Sequence, residues 1–305
     1  MIAVVIVNWN GCSLLSSCLT SVFDQKPAPE LVIVVDNGSA DGSVPYLSAA
    51  WPEVRVMEAG TNLGFSGGNN LGIRAALEAG ADCVLLLNND AQLLPNALER
   101  LRAALERCGP QTWAAAPKIV YRSNPSVIWA AGGRFDWWRG VSVDRGFNEP
   151  DQGQYDVGGE IGFANACCLL IRSEAFRRLG LLDEGYFMYF EDSDFAARLG
   201  RAGGRIVYEP GAGALHDVYG SSGGGPERPS RLALYYSTRN RWQFIAKNAP
   251  DPVRRLAAHS FTIASRLVRM MQALAGRRMA DAKVMGLALC DAYLRRAIGR
   301  TYDRR

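Results

Sequence analysis

The sequence predicts an α/β fold, a parallel sheet covered by helices, and three observations carry that expectation. Apolar runs of strand length alternate with stretches of helical periodicity through the N-terminal third of the chain, as in βα units that put helices on the faces of a parallel sheet. Those runs end in small polar clusters, Asn8-Trp9-Asn10-Gly11, Asp36-Asn37-Gly38-Ser39 and Asn88-Asn89-Asp90, and ligands bind at the carboxyl edge of such sheets. Of 305 residues, 48% are hydrophobic and 21% charged, which suits one large folded domain or a main domain with an appendage.

Strands are expected at residues 2–7, 31–36, 54–58 and 83–87, with helices at 14–23, 44–50 and 67–79 between them. Residues 94–108 follow as an amphipathic helix, with Leu94, Leu98, Leu101 and Leu105 on one face. From 112 to 156 the pattern changes to short β-like pieces rich in Trp, Gly and Arg. Trp129, Trp137 and Trp138 there could line a sugar site or simply pack in core and loops. A buried strand at 166–171, a short helix at 173–179 capped by Ser173, a helix at 191–202 ended by Gly203-Gly204 and a strand at 205–208 come next. The glycines, serines and prolines of 211–229 read as a flexible loop, either a lid or a linker. Helices are then expected at 232–247, 256–274 and 284–298.

Seven cysteines form no Cys-x-x-Cys pair and mostly lie among apolar residues, as reduced buried thiols of a cytoplasmic protein do. The apolar start at residues 2–7 is stopped by Asn8, Trp9 and Asn10, too early for a signal peptide or membrane span, and no later run is long enough to cross a bilayer. Net charge is only +4, yet residues 250–305 gather arginines against few acids.

Asp90 follows an apolar run, so its carboxylate is expected at the C-terminal edge of a buried strand. A hard divalent cation takes oxygen ligands, and a nucleoside diphosphate supplies two, so a carboxylate and an imidazole such as His216 suffice to complete a site. The alternative is that Asn88, Asn89 and Asp90 only end the strand and cap a helix. Glu191 and Asp192 are adjacent, so on a helix they diverge by about 100° and one of them faces a site. Asp194 lies in reach as a fallback or orienting group, and all three acids would also complement a helix dipole.

Five segments resemble the family 2 glycosyltransferases, particularly bacterial rhamnosyltransferase-like members that build cell-surface polysaccharides. They are Val4-Val5-Ile6-Val7-Asn8-Trp9-Asn10-Gly11; Val34-Val35-Asp36-Asn37-Gly38-Ser39 with Asp41-Gly42-Ser43; Asn62-Leu63-Gly64-Phe65 with Gly67-Gly68-Asn69-Asn70; Leu87-Asn88-Asn89-Asp90; and Phe187-Met188-Tyr189-Phe190-Glu191-Asp192-Ser193-Asp194, followed by Pro210 and His216. The resemblance runs from residue 2 to about residue 248. It implies a glycosyltransferase A-type (Rossmann-like) mixed sheet flanked by helices with a C-terminal helical extension. Residues 1–230 would be the catalytic domain, its donor half about 1–110 and its acceptor half about 111–230, and residues 231–305 the basic extension.

The same resemblance assigns roles. Asp36 would accept the imide N–H of uracil or thymine, which favours dTDP- or UDP-linked sugars, although guanine offers donors too. Asn8, Asn62, Gly64, Asn88 and Asn89 would line the donor, and the glycines at 67 and 68 would let backbone amides approach a phosphate or ribose. Asp90 and His216 would hold Mg²⁺ or Mn²⁺, with Asn88 standing where the family usually has a first acid. Asp192 would be the general base of an inverting transfer to a saccharide or lipid-linked acceptor, rhamnose being one sugar it could carry. Arg239, beside Asn240, matches a late motif and would contact phosphate or stand exposed on its helix. A sugar nucleotidyltransferase and an inactive nucleotide-sugar binder remain alternatives. The first lacks support because Asn8-Trp9-Asn10-Gly11 replaces a phosphate loop, the second because Asp90, Asp192 and His216 are all retained. The basic tail lacks stacking aromatics, which argues against nucleic acid and for peripheral attachment to the anionic inner face of the cytoplasmic membrane. Leu256, Phe261, Ile263, Leu267, Met270, Met271 and Leu274 would pack inward while arginines face lipid.

Overall fold

The computed structural model describes residues 1–217 and 230–294. In chain order, β1 (Ile2–Asn8) leads to α1 (Cys12–Phe23), β2 (Leu31–Asp36) to α2 (Ser43–Ala50), β3 (Arg55–Glu58) to α3 (Gly64–Glu78), and β4 (Cys83–Asn88) through β5 (Ala91–Leu93) to α4 (Ala97–Arg107). The β-rich middle comprises β6 (Thr112–Tyr121), β7 (Asn124–Ala130), β8 (Gly133–Asp136), β9 (Val141–Asp144), β10 (Gly159–Ile161) and β11 (Cys168–Arg172). After it come α5 (Ser173–Leu179), a 3₁₀ turn at Glu184–Tyr186, α6 (Glu191–Arg201), β12 (Arg205–His216), α7 (Arg231–Asn248), α8 (Pro252–Ala275) and α9 (Met279–Tyr293).

The main sheet runs β10-β12-β6-β11-β4-β1-β2-β3, with β5 beside β12 and β7 beside β6, while β8 and β9 form a separate hairpin. β1, β2, β3 and β4 are parallel, but β11 is antiparallel to both β4 and β6. The sheet is therefore mixed, as the resemblance implies, and not parallel throughout as the alternation alone suggests. A strand buried on both faces carries the same apolar run in either direction.

One face of the sheet is covered by α1 and α4 through Leu15, Leu19, Leu98, Leu101 and Leu105, the other by α3, α5 and α6 through Ile73, Phe176 and Phe195. In α3 the glycines allow close seating on the sheet. A Cβ at Gly68 would lie 2.8 Å from Val7 Cγ1, and one at Gly72 only 2.4 Å from Val5 Cγ1. Close packing thus requires glycine at 68, and Gly67 likewise lies against Leu63.

Three local expectations change. Helix α4 starts at Ala97 because residues 91–93 pair with β12 instead. The N-cap of α5 is Arg172, and the Ser173 hydroxyl donates to the Ala81 carbonyl rather than capping the helix. Most consequentially, residues 211–216 are not loop: they prolong β12, which stays paired with β6 after a register shift between Glu209 and Gly213. Pro210 and the flanking glycines mark that irregularity, a use of such residues that composition alone reads as loop. The rest of the expected loop, residues 218–229, lies outside the described residues.

At the C-terminal end α7 packs against α9, and α8 against both. Tyr235 and Tyr236 of α7 meet Val284 and Ala288 of α9, with Phe187, Met188 and Tyr189 packed beside them. Among the described residues no helix is long and apolar enough to cross a membrane.

The seating of α3 predicts that Gly72→Ala loses about 1–3 kcal/mol by overpacking. Gly200→Ala, with open space around the position in α6, should gain up to about 1 kcal/mol from helix propensity. Urea midpoints at constant slope check both signs.

Candidate active site

β1, β2 and β4 end at one level, with Asn8 opposite Asp36 and Val7 opposite Asn88. Their polar ends form a buried chain. Asn89 Nδ2 donates to Asn8 Oδ1 (2.8 Å), and Asn8 Nδ2 donates to Asp36 Oδ2 and Ser39 Oγ, each at 3.3 Å. The other Asp36 oxygen accepts the backbone N–H groups of Gly38 (3.1 Å) and Ser39 (2.8 Å), which builds the turn after β2. Gly38 has φ +76°, and a side chain there would meet the backbone of Thr61.

Across this edge, Asn62 Oδ1 accepts the Gly64 N–H (2.8 Å) at the start of α3. Gly64 has φ +72°, and a Cβ on it would sit 2.4 Å from the Phe187 carbonyl oxygen. That oxygen instead accepts the Ser66 N–H at 3.1 Å. The resulting contact closes one wall of a cleft of ≈ 120 Å³ whose lining includes Trp9, Asn37, Asn62, Asn88, Asn89 and Met188.

Asp90 and His216 meet because β5 and β12 pair Ala91 with His216. His216 Nε2 lies 3.2 Å from Asp90 Oδ1, both side chains are buried, and Trp129 sets its ring edgewise on the imidazole at 4.5 Å. Nδ1 of His216 is buried without a hydrogen-bond partner. A carboxylate oxygen beside an imidazole nitrogen is a donor set that fits Mn²⁺, or Mg²⁺ once phosphate oxygens join. Among the described residues no cluster of three or more His, Cys, Asp or Glu side chains is placed to hold a metal.

The acidic turn separates its three carboxylates. Glu191 is buried, with Oε2 unpartnered, and burial followed by the nearby Asp192 raises its pKa well above the carboxylate range. Asp192 is half-buried. Desolvation raises its pKa too, opposed by hydrogen bonds from the Ser193 N–H (2.6 Å) and the Ser193 hydroxyl. Asp194 does not serve as a fallback here: it is buried and bonded to Arg198 Nε (2.7 Å), Tyr186 Oη (3.2 Å) and Asn248 Nδ2 (2.8 Å).

Arg239 is not exposed on its helix. It is buried, and its Nη1 donates to the Gly185 carbonyl (3.0 Å) and to Asn240 Oδ1 (2.7 Å). Asn240 in turn donates through Nδ2 to the carbonyls of Tyr186 (2.8 Å), Met188 (2.8 Å) and Tyr189 (2.9 Å). The late motif therefore fixes the turn before α6. Of the tryptophans, Trp137 stacks on Phe244, Trp129 backs His216, and Trp138 is exposed.

Sequence reasoning missed Asp144. Ser142, on the same face of β9, shares a hydrogen bond with Ser193 (3.1 Å between hydroxyl oxygens). Asn165 Nδ2 donates to Asp144 Oδ1 at 2.6 Å, and Asp192, next to Ser193, lies near enough for its charge to act on Asp144. Two carboxylates thus face one patch. Burial, and then the charge of Asp192, lifts the Asp144 pKa to about 7. The only sequence signal was the alternation of Ser142 and Asp144 on one short strand.

Comparison with known proteins gives a consistent picture. The family described as Glycosyl transferase family 2 matches residues 3–180. Over 265 residues the chain is 32% identical to N-acetylglucosaminyl-diphospho-decaprenol L-rhamnosyltransferase of Mycobacterium tuberculosis, covering 78% of this chain and 82% of that one. It is 24% identical over 249 residues to a low-salt glycan biosynthesis hexosyltransferase of Haloferax volcanii, covering 81% and 76%. Among solved structures, GalNAc-T7 with UDP, GalNAc and Mn²⁺ is similar at TM-score 0.59 and 18% identity, over 78% of this chain and 50% of that one. A mannosyltransferase of Pyrobaculum calidifontis with GDP-Man and Mn²⁺ is similar at 0.55 and 16%, over 100% and 88%. These two share the fold, a glycosyltransferase A-type mixed sheet.

The elevated pKa of Asp144 has a consequence for stability. An acid whose pKa is higher in the folded chain gives its full contribution below the unfolded value, near 3.9, and loses it as pH rises through about 7. Asp144→Asn should therefore be more stable than the parent at pH 8 by roughly 1–3 kcal/mol, below the full 1.36 kcal/mol per unit because the group is partly exposed. The difference should shrink toward pH 4 in urea titrations. A gap that does not change with pH would refute the elevated pKa.

Proposed function

The chain belongs to glycosyl transferase family 2, and from that premise we propose that it is an inverting, metal-dependent transferase. It would move a sugar, rhamnose being the first to test, from a dTDP- or UDP-linked donor to a saccharide or lipid-linked acceptor during cell-surface polysaccharide synthesis. The observation that carries this reading is Asp90 set 3.2 Å from His216 at the strand edge where Asp36, Asn8 and Asn89 are already linked. In this reading residues 1–110 hold the donor and residues 111–230 face the acceptor, at the inner face of the membrane.

Asp36 Oδ2 accepts one hydrogen bond from Asn8, and a carboxylate oxygen accepts two, so it retains capacity for a pyrimidine imide N–H. Asn62, Gly64 and Asn88 would meet the rest of the donor in the cleft. Asp90 and His216 would hold Mg²⁺ or Mn²⁺, which when bound supplies positive charge beside the diphosphate. Asp192 takes the proton of the acceptor hydroxyl as that oxygen bonds to the anomeric carbon. The bond from that carbon to the diphosphate oxygen breaks, the electron pair leaves with the nucleoside diphosphate, and attack from the opposite face inverts the centre. One carboxylate is enough because the leaving group departs as an anion, unlike the alcohol a glycosidase must protonate. Glu191, buried and favouring its proton, is poorly placed to share the task.

Asp192→Asn should keep nucleoside diphosphate affinity and lose about a hundredfold or more in turnover. Nucleotide-sugar screening with diphosphate release, then transfer to the accepted acceptor, measures this. Turnover close to the parent's would remove Asp192 from the role of base.

Calorimetry tests the metal separately from activity. Nucleoside diphosphate should bind about tenfold or more tightly with Mn²⁺ than with chelator, since Asp36 and Asp90 repel an unscreened diphosphate, and His216→Ala should narrow the gap. Equal affinity in both conditions would favour a metal-free site.

A further inference from the structure

Helix α8 is packed the wrong way round for a core helix. The side that meets the protein is small or polar, with Ala258, Thr262, Arg266 and Ala273 buried. The opposite half of its circumference, at 3.6 residues per turn, carries Val253, Leu256, Ile263, Leu267, Met271 and Leu274 and no charged residue. Those side chains are in water: Leu256 is 70% exposed, Met271 60% and Leu267 49%. Most of the apolar residues expected to pack inward are thus exposed, while Arg266 is buried. From Val253 to Leu274 the stripe is about 32 Å long, more than the scattered exposed leucines of ordinary surfaces.

Charge identifies what covers it. From residue 252 to 294 the exposed charged side chains, among them Arg255, Arg269, Arg277, Arg278 and Lys283, are all positive. The acids of that span, Asp281 and Asp291, are buried, and they bond to Arg231 and Tyr235 respectively. An apolar stripe in a cationic surround is complementary to an anionic bilayer, with acyl chains for the stripe and headgroups for the arginines. Trp138, 58% exposed at the β8–β9 tip with Arg254 over its ring, is the residue type that settles at a bilayer interface.

We propose that α8 lies in the plane of an anionic phospholipid membrane with its Val253-to-Leu274 stripe among the acyl chains. This goes further than electrostatic attachment and extends the reading of a lipid-linked acceptor, because it names apolar insertion as the main hold.

The test is sedimentation of the full chain with phosphatidylcholine vesicles, with and without phosphatidylglycerol. The parent should pellet with the anionic vesicles and remain partly bound when salt is raised, since screening removes only the charge contribution. Leu256→Ser/Leu267→Ser/Met271→Ser, all at exposed positions, should weaken partition by about tenfold or more. Arg277→Gln/Arg278→Gln should weaken it by about fivefold per charge, at low salt only. Unchanged nucleoside diphosphate affinity reports that the variants are folded. Absence of pelleting with both vesicle types, or equal pelleting of the serine variant, overturns the proposal. So does a dimer in light scattering that the serine variant converts to monomer, which would assign the stripe to a second copy. Transfer to a detergent-dispersed acceptor without vesicle binding would sink this inference alone, whereas vesicle binding without transfer from any nucleotide sugar would sink the enzymatic reading alone.

Discussion

The site depends on a turn that the backbone disfavours. Phe187, Tyr189 and Phe190 take φ of +65°, +68° and +74°, and each bulky residue in that region costs about 1–3 kcal/mol. The Asn240 amide shares its two N–H donors among the carbonyls of Tyr186, Met188 and Tyr189, so at about 1 kcal/mol per bond it offsets less than the lower estimate of that strain. Aromatic packing supplies the remainder: Phe187 stacks on Tyr236 at 5.0 Å and Phe190 meets Phe244 at 5.5 Å. The turn is therefore held from α7, and with it the cleft wall at Gly64 and the starting point of α6. Glu191 points into the protein and Asp192 toward the open side because the helix begins where this turn releases it.

The donor edge is built by a different means. Asn8, Asp36 and Asn89 are buried side chains, and each unpaired amide or carboxylate there would be costly. Linked in series, they place polar groups from three strands at fixed separation without a charged pair. Asn88 and Asn89, being neutral, keep the negative charge near Asp90 low. In the proposed reading the Asp90 carboxylate and the His216 imidazole, already 3.2 Å apart, are the two donors that would seat a cation.

Much of this was legible in the sequence, for definable reasons. Strand ends such as Asn8, Asp36 and Asp90 follow directly from where apolar runs stop, and one-dimensional pattern captures that well. Strand direction does not, so β11 reversed unnoticed. Nor does composition distinguish a bulged strand from a loop, so β12 and the seat of His216 were misread at Pro210 and Gly211. Arg239 and Asn240 carried a motif but no indication of what they touch, since their partners are backbone carbonyls about 50 residues away. Asp144 gave no local signal because its meaning comes only from Asn165 and Asp192.

The β8–β9 hairpin joins the two ends of the argument. At its tip, Gly140 lies against Ile245 of α7 and Ala258 of α8, so that a Cβ there would be 2.3 Å from Ile245 Cγ1. Arg139 and Arg241 both place their guanidinium groups over Phe261 of α8, at 5.6 and 5.3 Å. At its other end the same hairpin presents Ser142 to Ser193 and Asp144 toward Asp192. A two-stranded ribbon four residues long in each strand has few ways to deform without breaking its ladder. The hairpin therefore bears on α8 at its tip and, through Ser142, on the Ser193 hydroxyl beside Asp192 at its other end.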